Sequence, residues 1–123
     1  MRQRLFCLTG LTMTAALFAN SPAWAHAHLV SSNPVAGASV KTAPKTIVLT
    51  FSNKVVPAFS KFEVTMPEHG GMKIPVRTTV SKDGKSIVGT PQTPLASGAY
   101  KIVYTAAAAD GHKMAGEVAF KVG

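Results

Sequence analysis

The sequence predicts an all-β fold, an immunoglobulin-like sandwich of about seven antiparallel strands in Greek-key order, lying after a cleaved N-terminal signal peptide. Three observations predict it. Short runs rich in β-branched and aromatic residues recur throughout the chain after residue 25. Eight prolines and ten glycines in the whole chain punctuate these runs. Nothing after residue 25 supports a long helix, and seven short strands in about a hundred residues is the count of a two-sheet immunoglobulin-like domain.

In chain order, the first 25 residues read as a secretory signal. Arg2 and Arg4 form the positive region, Leu5 to Phe18 the apolar region, and Ala23-Trp24-Ala25 the small-residue cleavage site. The apolar run falls short of the roughly 20 residues a membrane span needs, so a stable membrane insertion is not expected. Residues 26–123 then form one domain. Ala25-His26-Ala27 satisfies the same cleavage pattern, and a cut there would leave His28 first. Either cut exposes a histidine at the new N-terminus.

The strands follow. His28 to Ser32 ends in the turn residues Asn33-Pro34 and Gly37. Thr46 to Phe51 and Lys61 to Met66 show partial alternation with β-branched and aromatic enrichment. Lys73 to Val80 and Ser86 to Thr90 flank Lys82-Asp83-Gly84-Lys85, a hairpin signal. Gly98 to Thr105 and Met114 to Val122 complete the set. Tyr100, placed after a turn at the start of the sixth strand, fits a tyrosine corner and an ordinary core aromatic equally well.

Composition narrows the chemistry. Cleavage after Ala25 leaves 98 of the 123 residues, with 11 Lys and Arg against 5 Asp and Glu, a net charge of +6. The basic residues are scattered singly, which suits a solvated surface better than a nucleic-acid footprint. Cys7 and Trp24 are removed with the signal, which excludes an antibody-type domain and any disulfide. A metal site must therefore use His, Met, carboxylate or backbone nitrogen donors.

Two arrangements supply such donors. In Asp110-Gly111-His112, the i, i+2 spacing in extended backbone sends a carboxylate and an imidazole to one side, although Asp-Gly is also a common turn dipeptide. If every connection reverses the chain, this link lies at the same end of the sandwich as the start of the first strand, so His26 and His112 can meet. A histidine in first position offers its α-amino group and its imidazole together, a chelating pair. The second arrangement is Met66-Pro67-Glu68-His69-Gly70-Gly71-Met72, whose thioether and imidazole donors favour soft Cu(I). Its alternative is a Gly-rich hairpin tip with incidental methionines. Parity puts it at the opposite end, about 20 Å or more away, so one ion cannot use both ends.

The segment His26-Ala27-His28-Leu29-Val30-Ser31-Ser32-Asn33-Pro34, the strand Ile47-Val48-Leu49-Thr50-Phe51-Ser52, the stretch Leu95 to Tyr104, and Asp110-Gly111-His112 ahead of Gly116-Glu117-Val118-Ala119-Phe120 resemble the periplasmic copper-resistance protein CopC family. The resemblance covers essentially all of residues 26–123. It implies a periplasmic, non-enzymatic protein for copper resistance, sequestration or delivery to a CopD-like inner-membrane copper transporter. It implies a Cu(II) site of His26, Asp110 and His112, with His28 beside the site as a neighbour or minor ligand. It further implies a reduced Cu(I) site of Met66, His69 and Met72. A copper-dependent polysaccharide monooxygenase also begins with a chelating histidine on such a core, but this chain lacks the aromatic surface that would lie on a polysaccharide.

Overall fold

The computed structural model describes residues 27–123. Its strands are β1 (Leu29–Asn33), β2 (Ser39–Val40), β3 (Ile47–Phe51), β4 (Lys61–Met66), β5 (Met72–Ile74), β6 (Val76–Val80), β7 (Ser86–Pro91), β8 (Gly98–Ala107) and β9 (Lys113–Val122). They form two sheets, ordered β1-β3-β7-β6 and β2-β9-β8-β4-β5. Every pairing is antiparallel except the short parallel contact of β2 with β9. The expected all-β sandwich is present, and no helix among the described residues is long and apolar enough to cross a membrane.

Alternation builds the core. Ile47, Leu49 and Phe51 of β3 and Ile87 of β7 point inward from one sheet, and Phe62, Val64 and Met66 of β4 meet them from the other. Tyr100 and Ile102 of β8, with Val118, Phe120 and Val122 of β9, complete the layer. A Cβ on Gly89 of β7 would collide with the Phe62 ring, so this position in one sheet leaves the room that an aromatic of the other fills.

The described residues form nine strands where the sequence pattern suggests seven. Lys73 to Val80 reads as one strand but is two, broken at Pro75: β5 pairs with β4 in one sheet, and β6 pairs with β7 in the other. Proline cannot donate to a ladder, and here the chain passes between sheets. The extra strand β2 is two residues long, too short to carry a period of its own.

Tyr100 satisfies both of its readings. It is 2% exposed and stacks on Phe120 at 5.3 Å between ring centroids, while its hydroxyl donates to the Ala96 carbonyl at 2.6 Å. That bond ties the β7–β8 connection to the core. Tyr100→Phe should lower stability by about 1 kcal/mol in chemical denaturation, the net value of one such hydrogen bond. Burial raises the Tyr100 pKa above 10.0. The folded state therefore holds this proton more tightly than the unfolded chain, and stability falls as pH rises from about 10 through the raised value. The phenylalanine variant should lose that alkaline dependence.

One end of the sandwich gathers the segments of interest. β1 begins opposite the end of β3, with Leu29 paired to Phe51, and the Ser52 amide donates to the His28 carbonyl at 2.9 Å. Three residues later Val55 forms a bridge with Ala108, and the Val56 amide donates to Ala107 O at 2.8 Å. The start of β1 is thus joined, through the segment after β3, to the β8–β9 loop. The β4–β5 turn lies at the other end of β4, as parity requires.

Candidate metal centre

Residues 108–112 form a tight loop between β8 and β9. The Ala108 amide donates to the His112 carbonyl at 2.9 Å and the Gly111 amide to the Ala108 carbonyl at 3.0 Å. Gly111 has φ +90°, a conformation that glycine adopts without a Cβ penalty. The loop brings the side chains of Asp110 and His112 into contact.

Asp110 grips His112 twice. One carboxylate oxygen, Oδ1, accepts the His112 backbone N–H at 3.0 Å, and the other, Oδ2, lies 2.8 Å from Nδ1 of the imidazole. A carboxylate on Nδ1 favours the tautomer whose Nε2 carries the lone pair, the arrangement that orients a ligating histidine. Both side chains are exposed, so the pair is open to an ion arriving from solvent.

His28 is held at the same end by Ser52. Its amide donates to Ser52 Oγ at 3.0 Å, and Nδ1 of its ring lies 3.2 Å from that hydroxyl. Ala27, just before it, is buried, which fixes the path by which the chain reaches β1. His26 lies outside the described residues, as do residues 1–25. Among the described residues no three His, Cys, Asp or Glu side chains converge on one point.

The Met/His segment has a different character. Met66 and Met72 are paired across β4 and β5 and share a face. Met66 is 5% exposed and belongs to the core, its terminal methyl lying against Gly98, while Met72 is 51% exposed. His69 ends an exposed 3-10 turn, Pro67–His69, followed by the left-handed Gly70 and Gly71. Two of the three soft donors are accessible and the third is packing. The alternation Phe62, Val64, Met66 along β4 is the sequence signal for this difference.

Two serines outside the donor motifs also hold this end together. Ser52 holds His28, as described. Ser60 is the buried polar residue among the described residues, and its hydroxyl accepts the Ala107 amide at 3.2 Å just before the loop. Nothing in the local pattern marks either serine, because each acts on a segment far along the chain.

A family model described as the CopC domain matches residues 29–123. The chain is 39% identical over 119 residues to Copper resistance protein C of Xanthomonas campestris pv. juglandis, covering 93% of each chain. It is similar to the crystal structure of PcoC, a methionine-rich copper resistance protein from Escherichia coli, with 34% identity and a TM-score of 0.73, covering 80% of this chain and 99% of that one. A more distant relative, Copper transport protein CutJ of Bacillus subtilis (strain 168), is 27% identical over 108 residues, which are 87% of this chain and 20% of that protein.

Proposed function

The chain belongs to the CopC domain family, and from that premise we propose that it is a periplasmic copper-binding protein that holds Cu(II) and passes copper to a membrane transporter. The observation that carries this reading is the Asp110–His112 pair, on a loop joined through Val55 and Ser52 to the place where the chain reaches β1. His26 is two residues upstream of His28. Cleavage after Ala25 would give it a free α-amino group, so that amine and imidazole form one chelate beside the pair. Nitrogen donors with a carboxylate suit the tetragonal preference of Cu(II), and the Irving–Williams order favours copper over the other divalent ions.

Two arrangements of Asp110 are compatible with this centre. Its carboxylate either swings onto the ion or stays on Nδ1 and holds Nε2 of His112 toward the ion. The transport role draws on CutJ, in which a domain similar to this chain makes up a fifth of a protein named for copper transport. A second ion, Cu(I), is assigned to the Met66, His69 and Met72 segment, with Met72 and His69 as its exposed donors.

The test is Cu(II) titration of the protein beginning at His26, beside a variant with one added N-terminal residue. Near-stoichiometric binding should be lost on extension, because an amide cannot replace the amine in the chelate. Equal binding by both proteins would overturn the assignment. Affinity should also fall as pH drops below about 8, since an α-amino group of pKa about 7.7 to 8.0 must lose its proton to bind.

A further inference from the structure

We infer that the metal-loop end of the sandwich is a docking face for an acidic segment of a protein partner, anchored by an apolar side chain against Phe59. The inference rests on the copper-transfer reading above and names the partner's chemistry.

Phe59 is 65% exposed, on a turn whose two ends are both tied to β8. It closes a 3-10 turn, Pro57–Phe59, whose proline presets the first residue. On one side of the turn Val56 donates to Ala107 O at 2.8 Å; on the other, Ser60 Oγ accepts the Ala107 amide at 3.2 Å. Both attachments are to the residue before the Ala108–His112 loop. A groove of about 580 Å³ runs beside the ring, floored by Ala58, Ala106, Ala107 and Ala115, and a second of about 380 Å³ continues past Phe59 to Gly111 in the loop itself. A ring on a tethered turn in an exposed position, beside small side chains and lining one cavity with the metal loop, fits an interface anchor better than a core residue left over.

Charge selects the occupant. Lys61 and Lys113 line the groove, and neither forms an ion pair among the described residues. Lys54 and the turn lysines Lys82 and Lys85 lie at the same end, since Val55 and Val56 cross to Ala108 and Ala107 there and the Val55 amide donates to Gly84 O at 2.8 Å. A second copy of this chain meeting this face with its own would bring the same positive charge and be repelled. A segment with carboxylates flanking a leucine or phenylalanine satisfies both the lysines and the groove, and its arrival would place a partner's donors beside Asp110 and His112.

The experiment is performed in copper-challenged cells that depend on this protein for resistance. A photocrosslinking amino acid replaces Phe59, with Val35, exposed and remote from the loop, as the control position. The expected result is an adduct at position 59 alone, mapped by mass spectrometry to an acidic segment of another protein. It should fall by about tenfold, the scale of losing one interface anchor, when Lys61 and Lys113 are both changed to Glu. Phe59→Ser should lower resistance while the purified variant binds Cu(II) as the unaltered protein does. Adducts to lipid, to a second copy or to the chain's own first 26 residues would overturn the inference, as would unchanged resistance in both variants. If the unaltered protein fails to bind Cu(II), the proposed function fails instead, and the crosslink still reports on docking.

Discussion

Replacing His112 by alanine should weaken Cu(II) binding by about 100-fold or more, with the fold intact. Groups that merely orient a metal-bound histidine typically contribute about 10- to 100-fold to affinity, so loss of a direct donor belongs at or above that range. The side chain is exposed, so the structural cost of its removal is within about 0.5 kcal/mol. Asp110→Asn is the informative companion. The amide keeps the shape but cannot accept from Nδ1 as a carboxylate does, and it brings no negative charge to the ion. A drop of about 10- to 100-fold is expected if Asp110 orients His112, and one at or above that range if it binds copper itself. The paramagnetic resonance spectrum of bound Cu(II) separates the two roles: unchanged coordination with weaker binding marks an orienting carboxylate, and a changed ligand field marks a direct one. Competition titration against a chelator of known affinity measures both variants. Unchanged affinity in His112→Ala would remove the β8–β9 loop from the copper site.

Met66→Ala should lower stability by about 2 to 5 kcal/mol, the range for emptying a buried long side chain. Met66 is 5% exposed and sits in the cluster with Phe62, Val64 and Tyr100, so the vacated volume can close only partly. Met66→Leu keeps nearly the same volume and should cost less than about 1.5 kcal/mol. This pair matters for function because Met66 is also the first of the three soft donors assigned to Cu(I). An alanine variant would weaken any Cu(I) binding simply by loosening the hairpin; the leucine variant removes sulfur and little else. Met72→Leu, at an exposed position, should weaken Cu(I) binding without affecting stability. If Met66→Leu weakens it as strongly, the buried sulfur moves out to bind the ion. If neither does, Cu(I) is not held at this turn.

The fold class was legible because strand formation is a local matter. Ile47 to Phe51 and Lys61 to Met66 carry their inward and outward faces in their own alternation, and a turn such as Lys82 to Lys85 is written in its own residues. Which sheet a strand joins is not local. Lys73 to Val80 looks like one run, but Pro75 sends its two halves to different sheets, a choice made by the partners β4 and β7. The tyrosine corner lay between: Tyr100 stood out after its turn, while its bond to Ala96 had to be seen.

For the candidate site, the residue types and chain parity by themselves placed Asp110 and His112 at the end where the chain enters its first strand, since side-chain chemistry and strand direction follow from sequence. Only the tertiary structure decided that the Asp110 carboxylate faces Nδ1 of His112, that Ser52 holds His28, and that Ser60 ties the end of the Pro57–Phe59 turn to Ala107. Two of these rest on contacts between residues tens of positions apart, and the first turns on the backbone of a tight loop. Periodicity along a chain records which way a side chain points, whereas the partner it meets depends on how the two sheets are laid together.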